Sequence, residues 1–169
     1  MPHYPNHIKS KLPKAGTTIF SVMSALANEY KAINLSQGFP NFDVSEELIS
    51  LVNHYMKKGM NQYAPSQGII SLRERIAEKV QDLYGATYNP ESEINIASGG
   101  TQAIYTAITA MIREGDEVLI FEPAYDSYAP AILLAGGIPV YMQLIAPDYS
   151  IDWTKVKKLI TQKTKMIII

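Results

Sequence analysis

The stretch Glu93-Ile94-Asn95-Ile96-Ala97-Ser98-Gly99-Gly100-Thr101-Gln102 decides the fold of this chain of 169 residues. Its first five residues are predicted to form a strand, and an apolar-periodic helix begins directly after Gln102. Gly99 and Gly100 let the backbone turn sharply and approach an anion, while the first N–H groups of the helix and the positive end of its dipole point at that anion. The stretch therefore predicts a phosphate cradle, to which Thr101 can add a hydroxyl.

An aromatic segment follows the next predicted strand, residues 117–121. It has the sequence Phe121-Glu122-Pro123-Ala124-Tyr125-Asp126-Ser127-Tyr128. Tyr125 leaves the strand at the same carboxyl edge of a parallel sheet as the cradle, and doubly wound sheets bind ligands at that edge. Together, the cradle and this aromatic plate predict a site for a phosphorylated planar ring.

Each segment also has a simpler interpretation when it is taken alone. Residues 98–101 fit an ordinary strand-to-helix turn with Ser98 or Thr101 as the N-cap. Tyr125 fits a core tyrosine at the end of a strand. The motif is neither GxGxxG nor Walker A, so binding of dinucleotides or nucleoside triphosphates does not follow from it.

Strands and helices alternate from residue 93 onward, which predicts an α/β fold with a mostly parallel sheet. The strands are predicted at 93–97, 117–121, 138–142 and 165–169, and the helices between them at 102–113, 126–135 and 152–160. Ahead of this region, the apolar spacing predicts helices at 17–30, from the N-cap Ser45 to Lys57, and from Gly68 to a stop at Gly85.

The composition excludes several classes of function. Hydrophobic residues make up 47% of the chain and charged residues 18%, which is typical of a globular protein and not of a disordered one. The net charge of −1 gives no nucleic-acid footprint, and no apolar stretch is long enough to span a membrane. Cysteine is absent and the histidines lack a metal-ligand spacing. We expect a cytoplasmic protein without metal, nucleic-acid or membrane partners.

Four segments, in this order and spacing, resemble the class I/II pyridoxal-phosphate-dependent aminotransferases of fold type I. These segments are Leu35–Phe42, Asn61–Gly68, Ser98–Gln102 and Pro123–Tyr128. The resemblance runs from about Lys14 to Ile169 and is strongest to the branch of methionine and kynurenine aminotransferases. That branch also contains glutamine transaminases and cysteine-conjugate β-lyases.

The resemblance implies the large, mostly parallel, three-layer α/β/α domain of that family, preceded by an N-terminal arm. Residues 1–45 would form the arm and contribute to the small domain and the substrate entrance. Residues 46–169 would form the first part of the large domain, which binds pyridoxal 5′-phosphate. A homodimer with shared active sites is also implied.

The same resemblance assigns residues to the cofactor. They are Gly99, Gly100, Thr101, Gln102, Tyr125, Tyr63 and Tyr128. Tyr125 would stack on the pyridine ring, and Tyr128 would lie near an aspartate that this chain does not contain. Tyr63 would reach across the dimer interface to the phosphate held by the neighbouring subunit. By their pattern alone, Tyr63 also fits an exposed loop residue and Tyr128 simple helix packing.

Two residues are implied to bind the substrate. Gly38 would bring its N–H toward the substrate carboxylate, and Phe20 would line the pocket with Phe39 and Tyr63. By pattern alone, Gly38 is also a plain turn glycine before Pro40, and Phe20 lies on a helical stripe that fits the core.

The residues that perform the family's chemistry do not occur in this chain. The Schiff-base lysine and the arginine for the substrate carboxylate would follow Ile169. The apolar run Met166–Ile169 is itself typical of a buried strand and unusual for a natural terminus. We therefore expect the front portion of a longer enzyme, without a catalytic residue among 1–169. This portion alone is expected to be inactive and to aggregate through its open sheet edge.

The function that the resemblance implies is transfer of an amino group from an apolar or aromatic amino acid to a 2-oxo acid. The donor would be of the methionine, kynurenine or glutamine type, because no arginine near the motifs could hold a second carboxylate. A cysteine-conjugate β-lyase is an alternative that the residues present do not separate from an aminotransferase. A cofactor-binding effector domain of a transcription regulator is a second alternative, which the absence of a basic module ahead of the arm disfavours.

Overall fold

The computed structural model of the chain describes residues 9–13, 16–38 and 40–169. The helices are α1 Ile19–Glu29, α2 Glu46–Lys57, α3 Ile70–Tyr84, α4 Gly100–Met111, α5 Tyr128–Leu134 and α6 Trp153–Leu159. The strands are β1 Glu117–Glu122, β2 Ile138–Gln143 and β3 Thr164–Ile168. The described residues divide into two compact units. One unit combines the described part of Met1–Val22 with Gly99–Ile169, and the other is Met23–Ser98.

The first unit is built on a parallel sheet with the strand order β2-β1-β3. β1 is central because the chain returns through α5 to pair β2 on one side of it, and then through α6 to pair β3 on the other. The carboxyl end of β1 is thus the point where the strand order reverses, which is the usual ligand position in such sheets.

Side chains of β1 alternate between two apolar layers, as the period of a strand requires. Val118 and Ile120 pack on one face with residues of α4 and α5. Leu119 and Phe121 pack on the other face with Val156 of α6. Helices on both faces of the sheet make this unit a three-layer α/β/α structure, which confirms the predicted fold class.

The regular elements of the second unit are helices, and loops join them. Ser45 is the N-cap residue of α2, as predicted, although its side chain makes no capping hydrogen bond. α3 ends at Gly85, whose φ of 67° and N–H bond to the Gln81 carbonyl confirm the predicted stop. Among the described residues of this unit, Arg73 on α3 is the one that is fully buried.

The predicted first strand, 93–97, is wrong: within the described ranges the sheet has three strands, and this segment is not one of them. A strand exists only when a neighbour pairs with its backbone. Its backbone N–H groups bond only to turns: the Glu93 N–H donates to the Asn89 carbonyl at 2.9 Å and the Ile96 N–H to the Gln67 carbonyl at 3.0 Å, so among the described residues no ladder forms. The other strands agree with the predicted ranges to within one residue at each end.

The predicted division at residue 45 concerns the domains of a complete enzyme and stays a prediction.

The sequence predicts that no segment spans a membrane, and the helices of the structure can be compared with that prediction. In the part of the chain that the structure describes, every helix is too short or too polar to cross a bilayer.

Candidate functional site

The start of α4 has the geometry that a phosphate cradle needs. Gly99 is the N-cap residue and has a φ of 107°, a conformation that residues with a side chain rarely adopt. A Cβ atom built on Gly99 or on Gly100 would meet no atom within 4 Å, so the space in front of both backbones is open. The α4 N-cap is therefore Gly99, and the prediction of Ser98 or Thr101 in that position is wrong.

Tyr125 lies beside this helix start. The hydroxyls of Thr101 and Tyr125 are 3.3 Å apart, which is within hydrogen-bond reach. Tyr125 is 43% exposed although it follows by only a few residues the strand β1, whose four middle residues are buried. Its ring is therefore presented to solvent next to the open backbone of the cradle.

Two further aromatic rings pack against Tyr125. The Tyr128 ring meets it nearly perpendicularly, with ring centroids 5.7 Å apart and an interplanar angle of 79°. The Phe20 ring is tilted at 46° with a centroid distance of 6.4 Å. The structure thus brings together four of the predicted site residues, Thr101, Tyr125, Tyr128 and Phe20, within the first unit.

A cavity of about 270 Å³ opens at the carboxyl edge of the sheet. Tyr125 and Tyr128 line it together with residues at, or just after, the carboxyl ends of the three strands. Those residues include Phe121, Leu144, Tyr149 and Ile168. The cavity therefore lies at the strand-order reversal, and Tyr125, which lines it, also reaches the start of α4 through the Thr101 hydroxyl.

Gln102 lies in the first turn of α4 and is exposed. Gly38 and Tyr63 belong to the second unit, so the structure describes them apart from the four residues above. Tyr63 is fully exposed, and a Cβ on Gly38 would meet no atom within 4 Å. Phe39 falls outside the described residues. The roles given to all these residues stay predictions.

Sequence reasoning missed two residues at this edge. Ser127 has a buried Oγ for which the described residues provide no hydrogen-bond partner, and it lines a second cavity of about 190 Å³ between α4 and α5. Tyr149 lines the larger cavity from a backbone with a φ of 56°. The Pro147-Asp148 turn before Tyr149 was a sequence signal for this loop, whereas Ser127 gave none.

Chemically, the site combines an anion-binding helix start with an exposed aromatic face. Backbone N–H groups at the first turn of an α-helix have no carbonyl partner within the helix, and the dipole there favours negative charge. The described residues contain no group of three or more His, Cys, Asp or Glu side chains arranged to hold a metal. An anionic planar ligand suits this arrangement.

Comparison with known proteins identifies the family. The model for aminotransferase class I and II matches residues 30–169. The chain belongs to this family. It is 50% identical over 161 residues to the methionine aminotransferase of Escherichia coli K12, which covers 95% of this chain and 42% of that protein.

Less similar relatives are named for other substrates. A probable N-succinyldiaminopimelate aminotransferase of Mycobacterium tuberculosis is 37% identical over 95% of this chain and 41% of its own length. A kynurenine–oxoglutarate transaminase of Dictyostelium discoideum is 33% identical over 91% of this chain and 39% of its own length. The chain therefore spans less than half the length of the aminotransferases it matches.

A solved structure shows the same fold. The crystal structure of YbdL from Escherichia coli, described as having a methionine aminotransferase function, superposes with a TM-score of 0.91 at 49% identity. The match covers 98% of this chain and 43% of that structure. The α/β/α arrangement is thus that of an aminotransferase.

Proposed function

We propose that the complete protein is a pyridoxal-phosphate-dependent aminotransferase that moves an amino group from an apolar or aromatic amino acid to a 2-oxo acid. The observation that carries the proposal is the pairing of the open α4 start with the exposed Tyr125 ring, joined through the Thr101 hydroxyl. A phosphorylated pyridine ring needs an anion site and a flat aromatic face side by side, and this arrangement offers both.

The residues present fit this cofactor. The open space in front of Gly99 and Gly100 would hold the phosphate, and a side chain at either position would project into it. Thr101 and Gln102 follow in the same first turn and would complete the phosphate contacts. When bound, pyridoxal phosphate supplies an electron-withdrawing ring that makes the amino-acid Cα–H acidic.

The residues of this chain would bind and orient rather than transfer protons. The α4 dipole and N–H groups would balance the phosphate charge, and Tyr125 would hold the ring plane by stacking. Tyr63 would act from the neighbouring subunit of a homodimer. The lysine that moves the proton is expected beyond Ile169, so residues 1–169 are expected to lack catalysis on their own.

The substrate preference is the finer part of the proposal. The Phe20 ring against Tyr125 gives the site an apolar wall, which suits a methionine or aromatic side chain. Gly38 would present its N–H to the substrate carboxylate. The relative with 50% identity is named for methionine and another relative for kynurenine. The arm assigned to residues 1–45 would contribute to the substrate entrance, and a cytoplasmic location is proposed with it.

The test is an amino-donor panel on the purified complete protein. Full loading with pyridoxal phosphate should turn the protein yellow, and methionine, kynurenine and glutamine should each convert the bound cofactor faster than aspartate does. Repeated turnover of a cysteine S-conjugate to pyruvate, ammonia and a free thiol without any amino acceptor would instead assign the β-lyase reaction. A colourless protein that takes up no cofactor would reject both.

A further inference from the structure

The side chain of Tyr125 is held at three points although nearly half of it is exposed. Its hydroxyl lies 3.3 Å from the Thr101 hydroxyl. Its ring forms an edge-to-face pair with the ring of Tyr128, and the Phe20 ring packs obliquely against the Tyr125 ring. An exposed tyrosine at the end of a strand usually keeps rotational freedom. This one is restrained in the direction that sets the tilt of its ring.

Of the residues that contact Tyr125, Tyr128 is the one that packs against the apolar core. It is the first residue of α5 and is half-buried against the apolar layer that contains Ile108, Ile120 and Ile132. Its N–H also donates to the Tyr125 carbonyl at 3.2 Å. Ring and backbone of Tyr128 therefore both tie Tyr125 to the core of the sheet.

We propose that Tyr128 is a positioning residue that, together with the Thr101 hydroxyl, fixes the tilt of the Tyr125 ring and through it the tilt of the bound pyridine ring. This inference rests on the proposed function, because it assigns a purpose to the restraint only if a planar cofactor stacks on Tyr125. Perpendicular aromatic pairs add specific geometry beyond the apolar area that they bury, and that geometry is what Tyr128 supplies.

Substitutions can separate positioning from simple core filling. Tyr128→Phe keeps the ring and therefore the edge contact. Tyr128→Leu keeps an apolar side chain against the core but removes the ring. Tyr125→Phe keeps the stacking face and removes the bond to Thr101. Tyr105→Leu is the matched control, because Tyr105 on α4 is also 43% exposed and is absent from the aromatic cluster.

The experiment uses the complete protein loaded with pyridoxal phosphate. Two quantities are measured for each variant: the visible circular dichroism per bound cofactor, which reports the asymmetry and tilt of the ring, and the dissociation constant of the cofactor. Tyr128→Leu should lower the circular dichroism per cofactor and weaken binding about threefold to tenfold, as loss of an aromatic pair predicts. Tyr105→Leu should match the wild type in both, and Tyr128→Phe, which keeps the ring, should lie closer to the wild type than Tyr128→Leu does.

The outcomes separate this inference from the function on which it rests. Wild-type protein that binds no cofactor overturns the proposed function, and the inference with it. Wild-type protein that binds normally, with a Tyr128→Leu variant of unchanged circular dichroism and affinity, overturns the inference alone. If Tyr128→Leu fails to fold, Tyr128→Met decides the question, because it also keeps an apolar side chain against the core and removes the ring: a lowered circular dichroism per cofactor supports the restraint, and a wild-type signal overturns it.

Discussion

The two units of the chain are stabilised in different ways. Every fully buried apolar residue among those described lies in Gly99–Ile169, in two layers on either face of β1. In Met23–Ser98 the one fully buried residue is Arg73, whose guanidinium donates to three backbone carbonyls. One unit is thus held by apolar burial and the other by a polar clamp.

The difference bears on how the site is positioned. Tyr125 follows a strand whose middle residues Val118, Leu119 and Ile120 are fully buried. The sheet can therefore hold Tyr125 to a narrow range of positions. The second unit has apolar side chains of α2 that are about half exposed. These side chains are Leu48, Leu51, Val52, Tyr55 and Met56. Single polar contacts therefore matter more in that unit.

The largest expected effect is on the apolar core. Ile132→Ala should lower the free energy of unfolding by about 2–5 kcal/mol, because Ile132 on α5 has no exposed surface and its removal leaves a cavity. Leu133→Ala is the matched control on the same helix, where the side chain is 51% exposed, and should cost much less. Urea unfolding measures both. Equal losses would show that the core is not where the first unit gains its stability.

The next effect concerns a glycine in the second unit. A Cβ on Gly68 would overlap Ile96 Cγ1, and Gly68 has a φ of 91°. Gly68→Ala should therefore cost about 2–4 kcal/mol from overpacking and backbone strain. Gly85→Ala meets no neighbour at a φ of 67° and should cost only the backbone part.

Unfolding measurements on the double variant Gly68→Ala/Ile96→Ala sharpen this prediction. Its loss of stability should be smaller than the sum of the two single losses, because Ile96→Ala removes Cγ1, the nearer of the two Ile96 atoms that overlap the new Cβ, and leaves only the Ile96 Cβ at 2.7 Å. Strict additivity would contradict the close approach of Gly68 to Ile96.

The polar clamp itself should give a somewhat smaller effect. Arg73 donates from Nε to the Gly68 carbonyl at 3.2 Å and from Nη1 to the carbonyls of Pro90 and Glu91 at 2.6 and 3.2 Å. Arg73→Met should cost about 1.5–3 kcal/mol, because charge-assisted bonds to partly buried acceptors are lost.

Arg75 on the same helix provides the control for Arg73. Its side chain is 78% exposed and pairs with Glu78 at 2.5 Å. Exposed ion pairs contribute at most about 1 kcal/mol, so Arg75→Met should be nearly neutral in the same unfolding experiment. Equal losses of unfolding free energy in the two arginine variants would contradict a stabilising role of the Arg73 hydrogen bonds.

The smallest effect is at a helix cap in the first unit. Asp152 accepts the Lys155 N–H at 3.0 Å, and this backbone hydrogen bond, aided by the Lys155 ammonium, lowers the pKa of the Asp152 carboxyl below its ordinary value. The stabilisation is therefore complete above the ordinary aspartate pKa and is lost as the pH falls through the lower, folded-state value.

Carboxyl titration by NMR tests the Asp152 cap. Lys155→Met should leave most of the depression of the pKa in place, because the backbone N–H remains. A return of the Asp152 pKa to its ordinary value in that variant would show that the charge, and not the cap, is responsible.

Local patterns in the sequence predicted the elements that depend on local forces. Continuous apolar runs predicted β1 and β3, and Gly85 predicted the end of α3. The predicted strand 93–97 failed because strand formation depends on a pairing partner, which an apolar pattern does not specify. The α/β/α fold and the aminotransferase family were confirmed, since alternation of elements and four joint motifs carry that information.

Contacts between distant residues could not be predicted in the same way. The bond between Thr101 and Tyr125 joins residues 24 positions apart, and the burial of Arg73 depends on a turn 17 positions away. A helical pattern places Arg73 on a helix without indicating which carbonyls its side chain meets. The roles of Gly38, Tyr63 and Gln102 in binding stay predictions for the same reason.

The most direct test of the central claim compares two ligands on the complete apoprotein: pyridoxal phosphate and pyridoxal, which lacks the phosphate. The account predicts that pyridoxal phosphate binds at least tenfold more tightly, because each charge-assisted bond from the α4 start contributes about 1.5–3 kcal/mol. Gly99→Ala should remove much of that difference while affecting pyridoxal little. Equal affinity for the two ligands in the wild type would contradict the phosphate cradle.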